Sequence, residues 1–136
     1  MPKSLIFPAR QTGDSPKTAA TTNFTGNVNI DAIHKDDPVG MITVTFSPGA
    51  RTHWHTHKQG QILKVVSGSG WICDAGGLPR RITAGDLVWA PPGTTHWHGA
   101  SEGCEMAHLA IGLGQTVWGD PVTEEEYTQM ETQGSS

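Results

Sequence analysis

Glycine and proline divide this chain into short segments, and that punctuation limits the folds open to it. Turn signals separate the apolar stretches at Ser67-Gly68-Ser69-Gly70, Gly76-Gly77, Ala84-Gly85 and Pro91-Pro92-Gly93. The 136 residues include 17 Gly and 9 Pro, a composition that argues against a helical bundle because both residues disfavour helices. Short segments bounded by such turns predict an all-β domain, either a sandwich or a barrel.

The segments between these turns alternate as β-strands do. In residues 41–46, the side chains of Ile42, Val44 and Phe46 share one face, and threonines occupy the other. Similar segments predict further strands at residues 27–30, 61–67, 70–74, 80–83, 86–90, 95–99 and 105–111. Near the end of the chain, Thr123 and Glu126 have the spacing of a capping box and predict one short helix that ends near residue 132.

Charge and hydropathy exclude several classes of partner. The chain has 9 Lys and Arg against 13 Asp and Glu, a net charge of −4, and no basic run that could neutralise phosphates. We therefore expect no nucleic-acid partner and no membrane partner. No apolar stretch is long enough for a membrane span or a signal peptide, so we expect a cytoplasmic protein with Cys73 and Cys104 reduced.

Five of the seven histidines fall in two alternating sets. The sets are His53, His55 and His57, and His96 and His98. Residues two apart on a strand share a face, so each set would present its imidazoles together, and Gln61 has the same parity as His57. Neutral imidazole is a preferred ligand of transition metals, so the two sets predict a metal site. The alternative is a group of solvated or separately satisfied histidines, but clustered burial without a metal would leave lone pairs unmatched.

The spacing of these residues resembles that of a small single-domain cupin. The first cupin motif, G-x5-H-x-H-x3-E-x6-G, is matched at Gly49, His55, His57, Gln61 and Gly68, with Gln in place of the usual Glu. The second motif, G-x5-P-x-G-x2-H-x3-N, is matched at Gly85, Pro91, Gly93 and His96, with Ala100 in place of Asn. The resemblance implies a double-stranded β-helix, or jelly-roll barrel, with one short C-terminal helix. It also implies a metal held by His55, His57, Gln61 and His96.

The resemblance also has consequences for domain boundaries and assembly. We expect an N-terminal arm at residues 1–22, the barrel at residues 23–120, and a short helix with a flexible tail at residues 121–136. Because small cupins pair through sheet edges and exchanged arms, we expect a homodimer or a homotetramer, with the arm as a candidate for exchange.

A narrower resemblance is to the bacterial cupin-type hydroxynitrile lyases, which make or cleave cyanohydrins with a divalent metal, typically manganese. It rests on Pro48-Gly49-Ala50-Arg51-Thr52, Trp54-His55-Thr56-His57, Gly60-Gln61, Pro92-Gly93, His96-Trp97-His98-Gly99-Ala100 and His108-Leu109-Ala110-Ile111. It implies a small-molecule substrate and a divalent metal, with Mn²⁺ favoured and Fe²⁺, Zn²⁺ or Ni²⁺ as alternatives. It also implies that His98 and His108 are the catalytic histidines beside the metal.

The neutral amide at Gln61 bears on the type of reaction. A site with Gln in place of Glu is one charge more positive, which favours Lewis-acid chemistry over the activation of O₂. We therefore favour a hydroxynitrile lyase-like reaction on small cyanohydrins or related hydroxy and carbonyl compounds. The alternatives are an Fe-dependent dioxygenase, a metal-dependent isomerase, or a non-catalytic cupin that binds a metal or a small ligand.

The remaining candidates surround this predicted site. Strand parity predicts a mostly apolar pocket for a small substrate, lined by Ile42, Val44, Phe46, Leu63, Ala110 and Gly112. Trp54 and Trp97 have the opposite parity to the ligands and should pack outside the metal face, between sheets or against a second subunit. We expect a structural role for Arg51 and a surface position for His53.

Overall fold

A computed structural model describes residues 2–8, 18–20 and 22–134 of the chain. Within those residues the chain forms short and long strands followed by one helix. The strands are β1 (Thr18–Ala19), β2 (Phe24–Thr25), β3 (Val28–Asp36), β4 (Val39–Phe46), β5 (Arg51–Thr52), β6 (His55–His57), β7 (Gln61–Asp74), β8 (Arg80–Thr83), β9 (Leu87–Ala90), β10 (Thr95–Ala100), β11 (Met106–Leu113) and β12 (Thr116–Trp118), and the helix is α1 (Glu124–Gly134).

The strands form two antiparallel sheets that share β7 and curl into a half-barrel. Sheet A runs in the order β1, β3, β4, β11, β7 and β9. In sheet B, β10 pairs with β7 on one side and with β5 and β6 on the other. Strand β7 also pairs with β8. The short strands β2 and β12 lie outside β5 and β6. The all-β class and the jelly-roll barrel predicted from the sequence are confirmed.

Strand β7 corrects one sequence prediction. The sequence predicted two strands, residues 61–67 and 70–74, with a turn between them, whereas Gln61–Asp74 is one continuous strand that passes from sheet A to sheet B. Two of its glycines are required by the local geometry, because they lie where the strand bends and where the backbone of a neighbouring segment comes close. Gly68 has φ of +75°, and a side chain there would collide with the carbonyl of Glu105, while one at Gly70 would collide with the carbonyl of Gly99.

Several shorter elements were not predicted. The strands β5 and β12 contain too few residues to show a period, and β3 continues to Asp36, beyond the predicted residues 27–30. Thr18 and Ala19, inside the predicted arm, pair with β3 of the same chain. Met1, residues 9–17 and Thr21 of that arm, and residues 135–136 of the predicted tail, lie outside the described residues. The domain boundaries and the exchange of the arm stay predictions.

The interior of the barrel is filled by inward-facing side chains of both sheets. Among them Phe46, Leu63 and Met106 are completely buried. The opposite face of sheet B is covered by α1, because Trp97, Val122 and Tyr127 pack there as a second apolar cluster. Trp97 therefore lies outside the histidine face, as its parity predicts, and it packs against Tyr127 of the C-terminal helix.

Helix α1 is fixed to the barrel at its first turn. The predicted capping box is present, since the backbone N–H of Glu126 donates to Thr123 Oγ1 and the backbone N–H of Thr123 donates to Glu126 Oε1. The buried guanidinium of Arg51 donates to the carbonyl of Val122 at 3.1 Å and to Glu124 Oε1 at 3.0 Å. Arg51 thus has the structural role expected from the sequence.

Two further expectations can be compared with the fold. The thiols of Cys73 and Cys104 are both free. No helix among the described residues is long and apolar enough to cross a membrane.

The glycine at the bend of β7 gives a test of the fold. We expect Gly68→Ala to lower the free energy of unfolding by about 2 kcal/mol or more, because the new methyl group meets backbone at a positive φ. Gly103→Ala is the control, since nothing lies within 4 Å of a methyl group there and its φ is not positive. Urea denaturation of both variants measures the difference, and an equal effect at the two positions would contradict this account of β7.

Candidate metal centre

Two paired strands of sheet B bring the central histidines together. β6 and β10 are antiparallel, and His55 lies directly opposite His96 in their register. Partners across such a pair share a face, and His98 lies on the same face two residues further along β10. His55, His96 and His98 are all buried, and one ring nitrogen from each lies within 4.8 Å of the others. These residues form a cluster that could hold a metal ion.

The tautomer of His55 is set by a backbone carbonyl. Its Nδ1 lies 2.9 Å from the carbonyl oxygen of His53. A carbonyl only accepts, so Nδ1 carries the proton and Nε2 keeps its lone pair. His53 therefore contributes through its backbone, whereas its half-buried side chain lies outside the cluster.

Several buried polar atoms at the site lack a protein partner. They include both ring nitrogens of His96, Nε2 of His98 and Oε1 of Gln61. A buried acceptor without a partner costs roughly 1–3 kcal/mol, so this group would be expensive in an ordinary core. Each of these three side chains can offer one lone pair to a metal ion, and His96 does so through the ring nitrogen that carries no proton. The set of nitrogen and amide-oxygen donors fits a divalent transition metal.

His57 and Gln61 border the cluster. The His57 ring centroid lies 5.1 Å from that of His55 and 6.3 Å from that of His96. Nδ1 of His57 lies 3.2 Å from Thr116 Oγ1, which leaves Nε2 for a ligand. Gln61 is the buried first residue of β7. The predicted ligands therefore lie around one region, and the structure adds His98, which the sequence assigned to proton transfer.

His98 and His108 form a hydrogen-bonded pair across the barrel. Nε2 of His108, on β11 of sheet A, lies 3.0 Å from Nδ1 of His98, on β10 of sheet B. The backbone N–H of His98 donates to the buried hydroxyl of Thr52. Because Nδ1 of His98 is engaged by His108, Nε2 is the nitrogen of His98 available to a metal or a substrate.

Burial keeps these imidazoles neutral. Loss of hydration lowers the pKa of His55 to about 4 and the pKa of His96 to about 3, and the neighbouring imidazoles add to both shifts. Loss of hydration likewise lowers the pKa of His108 to about 4 and the pKa values of His57 and His98 below the usual value of a histidine. Only a neutral imidazole offers a lone pair to a metal, so the cluster is ready to bind one at neutral pH.

All the site histidines except His96 border two adjoining cavities, an inner lobe and an outer lobe. The inner lobe has a volume of about 400 Å³ and contains His55, His98 and His108. The outer lobe, of about 420 Å³, lies toward His34 and the β3–β4 turn. Both lobes are bordered by His57 and Gln61, together with Ile42, Ala110 and Thr116.

The predicted pocket residues divide between this cavity and the core. Ile42, Val44 and Ala110 line the inner lobe, and Gly112 lines the outer lobe. Phe46 and Leu63 lie in the core without lining either lobe. Sequence reasoning missed Thr52, Thr116 and Trp118, which line the inner lobe, because they belong to strands too short to show alternation.

Comparison with known proteins agrees with this architecture. Residues 42–112 match the cupin domain family. A relative named (R)-mandelonitrile lyase, from Granulicella tundricola, is 49% identical over 111 residues, which cover 76% of this chain and 85% of that protein. The crystal structure of a cupin-like protein from Thermotoga maritima is 39% identical with a TM-score of 0.79, and the match covers 82% of this chain and 91% of that one.

More distant structures share the fold alone. The structure of a predicted oxalate decarboxylase from Thermotoga maritima is 16% identical with a TM-score of 0.70, and the match covers 79% of this chain and 100% of that one. The fold and the gathered imidazoles define a small β-barrel whose interior can hold a metal ion. The match over more than half of its length shows that the chain belongs to the cupin family.

Metal binding gives a test of the cluster. We expect His96→Ala to weaken Mn²⁺ binding by at least about tenfold, because it removes a ligand from the centre of the cluster. In the wild type, Mn²⁺ at about 100 times its dissociation constant should raise the free energy of unfolding by about 2.7 kcal/mol. His53→Ala is the control, since it keeps the backbone carbonyl that orients His55. Metal content after dialysis checks the weakened binding, and thermal unfolding checks the gain in stability. Full metal retention by His96→Ala would contradict the assignment.

Proposed function

We propose that this chain is a metal-dependent lyase of the hydroxynitrile lyase type, which cleaves small cyanohydrins into a carbonyl compound and hydrogen cyanide. The observation that carries the proposal is the position of the His98–His108 pair beside the cluster of unpartnered metal-ligand atoms, at a cavity that the pair lines together with His55, His57 and Gln61. The identity of 49% to a protein named (R)-mandelonitrile lyase supports the type of reaction.

We assign the metal to His55, His57, Gln61 and His96, with Mn²⁺ favoured. When bound, a divalent ion supplies a Lewis acid, which lowers the pKa of a hydroxyl group and polarises a carbonyl group. Gln61 keeps the site more positive than a carboxylate would, because its amide is neutral. His55 keeps its lone pair on Nε2 through the hydrogen bond of Nδ1 to the carbonyl of His53.

The proton is handled by His98 and His108. When Nδ1–H of His98 donates to Nε2 of His108, Nε2 of His98 carries a lone pair that can accept the hydroxyl proton of the substrate. The O–H electron pair then forms the carbonyl double bond. The electrons of the C–C bond leave with cyanide, which takes up the proton as hydrogen cyanide. His108 positions His98, whose backbone is held by Thr52.

Cleavage of mandelonitrile tests this function. We expect the protein loaded with Mn²⁺ to release benzaldehyde, and metal-stripped protein to release none above the uncatalysed rate. His98→Ala should lower kcat by about 10²-fold or more, because it removes the proton acceptor. His53→Ala should retain the wild-type rate, since its side chain lies outside the cluster.

The same assay can reject the proposal. No release of benzaldehyde by protein with confirmed bound Mn²⁺, Fe²⁺ or Zn²⁺ would exclude the lyase function. An oxygen electrode run beside it would then detect the uptake that an Fe-dependent dioxygenase requires.

We also propose that two copies of the chain pair through the outer face of sheet A. An apolar row crosses four adjacent strands there, because Trp89 lies opposite Ile62, Ile62 opposite Ile111, and Ile111 opposite Met41. Trp89 remains 56% exposed. An apolar row that lies across a two-fold axis is complementary to itself, so a second copy of the chain is the occupant we assign.

Light scattering tests this assembly. We expect a species of twice the chain mass of 14.5 kDa, and Trp89→Lys should shift it to the monomer by burying a charge in the interface. Leu78→Lys is the matched control, because Leu78 is also exposed but lies between β7 and β8. A wild-type monomer at high concentration, or a dimer in Trp89→Lys, would contradict the interface.

A further inference from the structure

A tryptophan at the mouth of the inner lobe takes no part in the chemistry proposed above. Trp118 is the last residue of β12, and it lies directly opposite His55 in the pairing of β12 with β6. Partners across an antiparallel pair share a face, so Trp118 points to the side of the cavity, as His55 does. The centroids of the two rings are 4.7 Å apart, and their planes are inclined by 40°.

A second aromatic ring supports this tryptophan. Phe24 lies opposite Thr52 in the pairing of β2 with β5, and its ring centroid is 5.8 Å from that of Trp118. Phe24 contacts Phe46 of the core in turn, at 6.2 Å. Although His55 and Phe24 hold the indole in place, Trp118 is still 39% exposed. Part of a fixed indole surface is therefore left to water at a cavity that reaches the candidate metal site.

The lining of the inner lobe restricts what can bind there. Among its described lining residues none is Lys, Arg, Asp or Glu. A substrate that carries a carboxylate would meet no basic side chain, and a cation would share the lobe with a divalent metal. The lining combines imidazoles with the aromatic rings of Phe24 and Trp118. A neutral molecule with one polar group and one flat apolar part can contact both the imidazoles and the aromatic rings.

We propose that Trp118, supported by Phe24, binds the aryl ring of the substrate and makes the site select aryl-bearing over saturated compounds. For the identity of the reacting group this inference rests on the proposed function, whereas the binding of the ring does not require turnover. Stacking between aromatic rings improves affinity by up to about tenfold beyond the effect of the buried area. Saturated rings of the same size lack this gain.

Two alcohols that are not cyanohydrins test the proposal in zinc-loaded protein. Benzyl alcohol and cyclohexylmethanol have the same carbon framework and the same hydroxyl group, but only the first has a flat aromatic ring. We expect Trp118→Leu to lower the preference for benzyl alcohol, measured as the ratio of the two dissociation constants, by about fivefold to tenfold. Trp118→Phe should keep the ratio within about twofold, because it restores an aromatic surface. Dissociation constants are measured by NMR titrations that follow the signals of each alcohol, a readout that the wild type and the variants share.

Val117→Ala is the matched control, because Val117 is exposed on the same strand and has the opposite parity. An unchanged ratio in Trp118→Leu, or an equal change in Val117→Ala, would overturn the proposal. Equal weakening of both alcohols together with loss of zinc would also overturn it, since Trp118 would then only support His55. Should Trp118→Leu not fold, Phe24→Leu provides the second test, in which an unchanged ratio overturns the proposal.

The two proposals fail separately. If mandelonitrile is not cleaved but the preference for benzyl alcohol depends on Trp118, the lyase function is wrong and the aryl site stands. If mandelonitrile is cleaved but the preference does not depend on Trp118, the aryl site is wrong and the lyase function stands.

Discussion

The main physical constraint on this fold is the cost of burying several imidazoles side by side. His55, His96 and His98 lie within the barrel, and burial lowers the pKa of each. Ring nitrogens of His96 and His98 have no protein partner. Such a cluster is unfavourable in an ordinary core, where each unmatched atom costs roughly 1–3 kcal/mol. The barrel must therefore be rigid enough to hold the rings in place. A metal ion would bind the unmatched lone pairs. The arrangement that is costly without a ligand therefore prepares the barrel to bind one.

The rigidity comes from the way the sheets are joined and covered. β7 contributes to both sheets, so the sheet that carries His108 and the sheet that carries His98 share one strand. Gly68 and Gly70 allow that strand to bend and approach its neighbours, because a side chain at either position would meet backbone. On the far side of sheet B, Trp97 and Tyr127 pack together, and Tyr127 donates to the carbonyl of Ala100 at the end of β10. The strand that carries His96 and His98 is thus fixed on both faces.

The cavity contains both the imidazoles proposed to act in the reaction and the aromatic rings proposed to select the substrate. Its imidazoles come from β6, β10 and β11, and each of these strands pairs with a neighbour on both sides, which gives the imidazoles defined positions. Its aromatic wall, Phe24 and Trp118, comes from the two short strands at the open edge of sheet B. Such a division places the reactive groups on the rigid part of the scaffold and the groups that contact the remainder of a substrate at its margin. The proposed lyase function and the proposed aryl site therefore depend on different parts of the same fold.

The fold class and the spacing of the candidate ligands follow from local patterns in the sequence. Alternation and the positions of Gly and Pro are local properties, so they can be read along the chain. The same is true of the parity that places Trp97 and His96 on opposite faces of the sheet. Packing makes residues 67–70 a bend within one strand and not a turn, because the backbone of Glu105 and Gly99 lies close to Gly68 and Gly70. Packing also brings Trp118 onto His55 and His108 onto His98. Each of these is a contact between segments whose pairing depends on long-range register, which no local pattern encodes.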